Sequence, residues 1–182
     1  MIGLERSVVR LEPHDPEWAR LYERERERLL AAISPHLLDL QHVGSTAIPG
    51  ILAKPILDIA AAVASFEGAA VCVAPLEALG YVYRGENGIP RRHYFVLRAP
   101  DGETTLVHLH VLEIGSAEWE NHLLFRDDLR SHPQHALAYQ ALKEQLAEQY
   151  HKDRPAYTEG KAAFILRLLE QARAGDLNRP VP

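Results

Sequence analysis

Cysteine is almost absent from this chain of 182 residues, which contains one cysteine and one methionine. A single cysteine excludes both an internal disulfide framework and a cysteine-rich zinc site. Cys72 lies in an apolar segment, and because free cysteine is among the most buried residue types, we expect it to be a thiol of the core. The chemistry of this protein therefore has to come from other side chains.

Long apolar runs and an excess of basic charge are also missing. No stretch approaches the roughly 20 apolar residues of a membrane span, and the N-terminal residues lack the apolar segment of a secretory signal. The formal net charge is −5, which argues against a dedicated nucleic-acid-binding protein. These absences predict a cytoplasmic protein with no membrane partner and no dedicated nucleic-acid partner.

Several well-known catalytic patterns are absent as well. The sequence has no Gly-x-x-x-x-Gly-Lys-Ser/Thr loop, no Gly-x-Gly-x-x-Gly turn and no His-Glu-x-x-His helix. It also has no Gly-x-Ser-x-Gly turn of the kind that presents a nucleophilic serine. A P-loop ATPase, a Rossmann dehydrogenase, a zinc protease of this type and an α/β-hydrolase are therefore all disfavoured.

What the chain does contain is the patterning of one α+β domain. Hydrophobic residues make up 47% of the sequence and charged residues 25%, as in an ordinary globular protein. Periodicity predicts strands over 7–11, 37–43, 55–63, 81–84, 93–99 and 104–112, and helices over 17–32, 67–79, 116–131, 134–150 and 155–173. We expect residues 1–182 to form a single domain, with a mixed sheet of about five or six strands within 7–112 and a helical C-terminal part within 116–173. The polar, proline-tailed stretch 175–182 is expected to fray.

The most informative segment is a turn of small residues followed by a carboxylate in an apolar strand. Gly44, Ser45 and Thr46 form the turn, and Asp58 lies within the next apolar run. Backbone N–H groups and hydroxyls of such a turn can approach an anion closely, whereas an ionised carboxylate in apolar surroundings is costly unless a cation or a hydrogen-bond donor compensates it. The combination predicts a nucleotide or phosphate site. Whether His42, just before the turn, belongs to that site is left open by the pattern.

Two histidines share one face of the last predicted strand. His108 and His110 are two residues apart, so both side chains point to the same side of the sheet and can converge with Asp58 on a metal or a phosphate. One carboxylate and two imidazoles suit Mn, Fe or Zn better than Mg. The simpler interpretation, a hydrogen-bonded histidine pair on a half-exposed sheet face, stays open.

Several cations are placed to contact an anion. Lys54 comes just before the Asp58 strand, where an ammonium can hold a phosphate, and Arg92 follows a Gly/Pro-containing loop, where a guanidinium can clamp one. The alternatives are a surface lysine and a solvated loop arginine. For Arg126 an ion pair is favoured over a role in the site, and Lys161 faces either an anion or solvent.

Four segments of the chain resemble the GrpB family, small bacterial proteins of unassigned function that also occur fused to dephospho-coenzyme A kinases. The matching segments are 42–50, 54–59, 108–111 and 124–133, and the resemblance extends from Trp18 to the helix at 157–165. That family is in turn similar to the nucleotidyltransferase superfold. The resemblance implies an α+β, nucleotidyltransferase-like fold with a mixed sheet flanked by helices.

The superfold also implies roles for individual residues. Gly44 and Ser45 match its phosphate-binding turn and Asp58 matches the first of its metal-binding acids, while Ala60 stands where the second acid belongs. A histidine, His108 or His110, stands roughly where the third acid belongs. Because two-metal transfer needs several anionic ligands, this set implies at most one divalent ion (Mn, Mg or Zn) in place of two Mg²⁺ ions.

These observations lead to two main functional hypotheses. The first is a nucleotidyltransferase-like protein that binds a nucleotide or another phosphate-bearing small molecule and carries out metal-dependent nucleotidyl or phosphoryl transfer. The phosphate-binding residues would be Gly44, Ser45, Thr46, Lys54 and Arg92, and the residues for metal binding or proton transfer would be Asp58, His108 and His110. The alternative, which Ala60 favours, is a catalytically degenerate module that senses a nucleotide or supports a partner enzyme of coenzyme A metabolism. A third reading is an interaction protein without a ligand.

Overall fold

The predicted sheet is present, and it combines parallel and antiparallel pairs. The computed structural model describes residues 2–6 and 8–175. Its strands are β1 (Leu4–Glu5), β2 (Leu37–Val43), β3 (Leu57–Val63), β4 (Tyr81–Tyr83), β5 (Arg92–Arg98) and β6 (Thr104–Glu113). Its α-helices are α1 (Glu17–Ile33), α2 (Val73–Ala78), α3 (Ala117–Ser131), α4 (Pro133–Gln149), α5 (Arg154–Glu159) and α6 (Ala162–Ala174). The predicted α+β class is confirmed.

The strand order brings the two most informative strands side by side. The sheet runs β2-β3-β6-β5-β4, and β1 pairs with the start of β6. Strands β3 and β6 are parallel, whereas the other neighbouring pairs are antiparallel. In the β3–β6 register Asp58 lies opposite His108, and Ala60 lies opposite His110. The topology therefore places the sequence-predicted carboxylate and histidines on adjacent strands.

One face of the sheet carries the main hydrophobic core. Alternate residues of β6, among them Val107, Leu109 and Val111, pack there with residues of β3 and with Trp18 and Leu29 of α1. The period-2 alternation of β6 thus separates apolar residues on this face from the histidines on the other. Nearly all of β3 is buried, as its continuous apolar pattern predicts for a strand covered on both sides.

The C-terminal helices cover the opposite face. Helices α3, α4 and α6 form a second apolar cluster that includes Phe125, Tyr139 and Phe164, and Trp119 of α3 packs on Ala60 and Ala62 of the sheet. Within residues 2–6 and 8–175, none of the helices combines the length and hydropathy needed to cross a membrane. The Asp58 face is therefore enclosed between the sheet and a helical layer.

Most predicted elements lie within one or two residues of their observed bounds, but the predicted strand at 7–11 is wrong. Residues 8–11 form no strand, and Ser7 lies outside the described residues. The apolar residues of this segment pack instead on the helical layer, where Val9 contacts Leu146 and Tyr157 and the Val9 N–H donates to the His151 carbonyl at 2.9 Å. The short β1 strand lies earlier, at Leu4–Glu5.

Two predicted helices are interrupted. In 67–79 a 3₁₀ segment (Gly68–Cys72) precedes α2, because Pro75 lacks an N–H and its ring would clash with the carbonyl of residue 71 in a continuous α-helix. The predicted helix at 155–173 is divided into α5 and α6 next to Gly160, where a Cβ would lie 2.5 Å from Leu146. The predicted burial of the Cys72 thiol is confirmed, since the residue is 1% exposed. The predicted frayed end, apart from Gly175, lies outside the described residues.

Candidate functional site

A large cavity lies between the Asp58 face of the sheet and the C-terminal helices. Its volume is about 990 Å³, which is the size of a small-molecule site. The sequence-predicted residues all line it: Gly44, Ser45, Thr46, Lys54, Asp58, Arg92, His108 and His110. The helices add Asn121, His122, Tyr139, Arg154, Tyr157 and Lys161, among others. Sheet and helices therefore share one cavity.

The turn after β2 lies against the carboxylate of Asp58. Gly44 has φ 67° and ψ −172°, a positive φ that side chains rarely adopt. A Cβ at this position would lie 2.5 Å from Asp58 Oδ2 and 2.9 Å from Asp58 Cβ. Glycine is therefore required here for two reasons, the backbone conformation and the close approach of Asp58.

His42 supports this turn from outside the large cavity. Its Nε2 lies 3.0 Å from Thr46 Oγ1, and its ring stacks on Tyr22 at 4.9 Å. Burial lowers the pKa of His42 to about 4 despite the attraction of Asp58, so the ring is neutral near pH 7. The Thr46 hydroxyl is therefore held in place by His42.

Asp58 and His108 form a direct hydrogen bond across the parallel strands. His108 Nδ1 lies 3.1 Å from Asp58 Oδ1, and His110 Nε2 lies 3.7 Å from the same oxygen. Burial alone would raise the pKa of Asp58, but hydrogen bonding and charge from the two histidines outweigh it and hold that pKa well below its usual value. Asp58 is therefore ionised, and His108 donates through Nδ1.

Arg92 fixes the tautomer of His110. A guanidinium has only donors, so its 3.2 Å contact with His110 Nδ1 makes that nitrogen the acceptor and leaves the proton of the neutral ring on Nε2. Burial first, and Arg92 among the nearby charges, lower the pKa of His110, although Asp58 opposes them. Arg92 also donates to the carbonyls of Glu86 and Asn87. This buried arginine is thus already bonded within the protein, and His110 points an N–H toward Asp58.

His122 of α3 extends the histidine group and has no counterpart in the sequence prediction. Its ring lies 4.7 Å from that of His110, and burial followed by His110 lowers the pKa of His122 to about 4. Period-2 spacing could reveal His108 and His110 on a strand, but a histidine on a distant helix gives no such signal.

Three cations converge on the cavity around Tyr157. The ammonium nitrogens of Lys54 and Lys161 lie 5.0 Å and 4.6 Å from the centre of the Tyr157 ring. Burial, Lys161 and Arg154 lower the pKa of Lys54 to about 7, and burial lowers that of Lys161 to about 8. Arg154 Nη2 is buried without a hydrogen-bond partner among the described residues. The cluster formed by Lys54, Arg154 and Lys161, here called the cation cluster, is therefore positive and incompletely compensated.

Two arginines of α3 hold the ends of the turn in place. Arg126 Nη1 donates to the His42 carbonyl at 3.1 Å, and Arg130 Nε donates to the Ala47 carbonyl at 2.8 Å. Arg126 also pairs with Asp127 at 2.7 Å, which confirms the ion pair favoured from the sequence. Arg126 and Arg130 line a separate small cavity with His42, so they position the turn from behind.

The residues present do not fit a two-metal centre. Ala60, in place of the second acid, is fully buried and packs with Val43, Leu112 and Trp119. Arg92 donates to His110 Nδ1, which places the proton of the neutral ring on Nε2, so His110 could ligate a metal only if this contact changed. The role of Asp58, His108 and His110 as metal ligands stays a prediction. His108 is hydrogen-bonded to Asp58, whereas His110 Nε2 lies 3.7 Å from the same carboxylate and has no hydrogen-bond partner among the described residues.

Solved structures relate this fold to the nucleotidyltransferases. Cid1 poly(U) polymerase, in a crystal structure with Mg 3′-dATP bound, aligns over 86% of this chain and 51% of its own at a TM-score of 0.55 and 16% identity. At that identity the likeness concerns the fold alone. The domain is therefore nucleotidyltransferase-like in fold.

The chain belongs to the GrpB family, because residues 8–171 match the family model described as GrpB protein. The crystal structure of conserved protein GrpB from Enterococcus faecalis aligns over 92% of this chain and 99% of its own, with a TM-score of 0.83 and 30% identity. This result confirms the resemblance that the sequence segments indicated.

Curated relatives extend over most of the chain. UPF0157 protein YqkA of Bacillus subtilis is 38% identical over 94% of this chain, and UPF0157 protein PA4798 of Pseudomonas aeruginosa is 41% identical over 89%. This chain spans about half of the first relative, 51%, and 66% of the second. A dephospho-CoA kinase of Mycolicibacterium paratuberculosis is 44% identical over 42% of this chain and 19% of its own length.

The close approach at Gly44 predicts a specific cost for alanine at that position. Gly44→Ala adds a clash with Asp58 to the strain of a positive φ, so we expect it to lower the free energy of unfolding by roughly 2–4 kcal/mol. Gly50→Ala is the matched control, because Gly50 also has a positive φ but open space around its Cα; we expect a loss of about 1 kcal/mol there. Denaturant unfolding measures both, and equal losses would contradict the constraint imposed by Asp58.

The hydrogen bonds of Arg126 predict that α3 stabilises the turn. Arg126→Met leaves the His42 carbonyl and Gln41 without their charged donor, which should cost about 2 kcal/mol of unfolding free energy. Arg24→Met serves as control, since that side chain is 70% exposed and its loss should cost less than about 0.5 kcal/mol. If the two variants unfold at the same denaturant concentration, the hydrogen bonds from Arg126 to Gln41 and to the His42 carbonyl do not contribute to stability.

Proposed function

We propose that the cavity binds the phosphate groups of a nucleotide or of another phosphate-bearing small molecule. The observation that carries this proposal is the convergence of Lys54, Arg154 and Lys161 on one cavity. Among the residues that the structure describes, no ion pair within 4.0 Å is formed by any of the three. All three side chains are half-buried, and a cation withdrawn from water without such a partner is costly. An anion with several oxygens would compensate all of them together.

The turn adds uncharged donors to the cation cluster. Gly44 and Ser45 line the same cavity as Lys54, and glycine allows the backbone at this point to approach a ligand closely. The Arg126 and Arg130 contacts keep the turn in one conformation before the ligand arrives, which reduces the entropic cost of binding. The fold supports the same assignment, since Cid1, a structural neighbour of this chain, was crystallised with 3′-dATP.

Asp58, His108 and His110 are the candidates for chemistry on the bound phosphate. His108 donates through Nδ1 to Asp58, so its Nε2 can accept the proton of an attacking hydroxyl while ionised Asp58 stabilises the imidazolium. The same imidazolium can then return the proton to the leaving oxygen, and the Nε2–H of His110 can only hydrogen-bond to an oxygen of the phosphate. We propose nucleotidyl or phosphoryl transfer as the reaction class. Dependence on one divalent ion is a separate question for experiment.

A second candidate is a binding module without catalytic activity. Ala60 favours it, because this buried side chain removes one metal-binding acid and is packed against Trp119. The partial match to a dephospho-CoA kinase suggests that such a module would sense a nucleotide or support a partner enzyme in coenzyme A metabolism. Both candidates use the same phosphate site and differ in their need for Asp58.

A thermal-shift panel tests the proposal and separates the two candidates. Nucleoside triphosphates and coenzyme A precursors are added with Mg²⁺, Mn²⁺ or a chelator, and a ligand at about a hundred times its dissociation constant should add roughly 2.7 kcal/mol to stability. Lys161→Met should lower the affinity for the stabilising ligand by about tenfold or more. Lys152→Met, at an exposed position, should leave that affinity unchanged.

Ligand-induced stabilisation of Asp58→Ala decides between the transferase and the sensing module. Stabilisation that requires a metal and is lost in Asp58→Ala supports the transferase, whereas stabilisation that is indifferent to metal and survives in Asp58→Ala supports the sensing module. A panel in which no phosphate compound stabilises the protein, or in which Lys161→Met responds like wild type, contradicts the phosphate site itself.

The lowered lysine pKa values predict that ligand affinity depends on pH. In the free protein Lys54 loses its proton near pH 7 and Lys161 near pH 8, whereas a bound phosphate favours both charged forms and so raises both pKa values. Binding therefore takes up protons, and affinity should fall by at least about tenfold from pH 7 to pH 9. A phosphate monoester is already ionised in this range, with a second pKa of about 6. Calorimetric titration with a nucleoside triphosphate measures the slope, and a profile that is flat in wild type would rule out a role for these lysines.

A further inference from the structure

A second cluster of ligating side chains lies where α3 meets α4. The cluster consists of Asp128, His132 and His135, at positions i, i+4 and i+7. His132 is the residue between the two helices, where the helical conformation is interrupted. Residue 132 precedes Pro133, which disfavours a helical conformation at that position. The resulting corner brings both histidines to the same carboxylate, and none of the three residues lines the large cavity.

The geometry of this cluster is compact. His135 Nδ1 lies 2.7 Å from Asp128 Oδ2, and His132 Nδ1 lies 3.1 Å from Asp128 Oδ1. The potential ligand atoms of these three residues all lie within 4.8 Å of one another. Within residues 2–6 and 8–175, no other group of three His, Cys, Asp or Glu residues is this compact, and the group of Asp58, His108 and His110 predicted from the sequence does not reach this criterion.

One oxygen of the cluster is buried without a hydrogen bond. The side chains of Asp128 and His135 are each 2% exposed, and Asp128 Oδ1 has no hydrogen-bond partner among the described residues. His132 Nδ1 instead bonds to the Asp128 backbone carbonyl at 3.0 Å. Because an uncompensated buried carboxylate oxygen is costly, this atom needs a positive partner, and it faces His132.

We propose that Asp128, His132 and His135 bind one divalent transition-metal ion, with zinc the best match. Imidazole nitrogens and a carboxylate are common zinc ligands, whereas Mg²⁺ and Ca²⁺ prefer oxygen ligands alone. Three protein ligands leave a fourth position for water, and His132, whose side chain is 20% exposed, gives the ion access from solvent. Both histidines would ligate through Nδ1, so each neutral ring would carry its proton on Nε2 when the ion is bound.

The ion would fasten the corner next to the arginines that hold the turn. Asp128 lies between Arg126 and Arg130 on α3, and these arginines donate to the carbonyls on either side of the Gly44 turn. Joining the end of α3 to the start of α4 would therefore stiffen the support of the turn. The role inferred for the metal is structural, and it does not depend on which ligand the large cavity takes.

Zinc binding to protein without a polyhistidine tag tests this proposal. Chelator-treated protein is titrated with ZnCl₂ against a chromophoric competitor, and wild type should bind one tight equivalent. His132→Ala should weaken that equivalent roughly 100-fold, since even the loss of an outer partner of a ligand typically costs 10–100-fold. His36→Ala, at an exposed histidine, and Asp58→Ala should bind as wild type does, and circular dichroism confirms that each variant is folded.

Three results would overturn the site: no tight equivalent in wild type, equal affinity in His132→Ala, or loss confined to Asp58→Ala. His132→Gln repeats the test with a side chain of similar size, so a folding defect of the alanine variant cannot mimic the expected loss. Replacement of zinc by Co²⁺ supplies an independent readout, because a cobalt site with imidazole ligands absorbs visible light and this absorption should disappear in His132→Gln.

Discussion

The ionised carboxylate of Asp58 is the interaction on which the candidate site depends. It lies in a strand covered on both faces and is compensated by His108 at 3.1 Å and His110 at 3.7 Å. The same charge favours the charged forms of Lys54 and Lys161. The cavity is lined by three acidic side chains, Asp58, Glu118 and Glu159, and by five basic ones, Arg6, Lys54, Arg92, Arg154 and Lys161, so the surplus of charge is positive. The glycine at position 44 and the Nδ1–H tautomer of His108 both follow from placing this carboxylate here.

The helical layer supplies the second half of the site. Arg126 and Arg130 hold the turn from behind, whereas Arg154, Tyr157 and Lys161 face the cavity from α5 and the start of α6. The break at Gly160 divides what periodicity predicts as one helix and accompanies the packing of this segment on α4. The sheet side, which carries Asp58 and Lys54, and the helices, which carry Arg154 and Lys161, thus form the cavity only when packed together.

Local patterns account for what could be predicted from the sequence. The i, i+2 spacing of His108 and His110 and the apolar run around Asp58 fix which face of the sheet they occupy, because strand side chains alternate strictly. Arg154 and His122 could not be found in this way, since their approach to Asp58 depends on how the helices pack. The sequence predicts Arg92 as a phosphate clamp, but its guanidinium already donates hydrogen bonds to the carbonyls of Glu86 and Asn87. The prediction of a strand at 7–11 is wrong for a related reason, because Val9 packs on the helices and this packing cannot be read from local periodicity.

A crystal structure of the protein with a non-hydrolysable nucleoside triphosphate tests the central claim most directly. The account predicts phosphate oxygens within hydrogen-bonding distance of the ammonium groups of Lys54 and Lys161, of Arg154 Nη2 and of the backbone N–H groups of the Gly44–Thr46 turn. A nucleotide bound elsewhere, or bound here with its phosphates directed away from the cation cluster, would contradict the account.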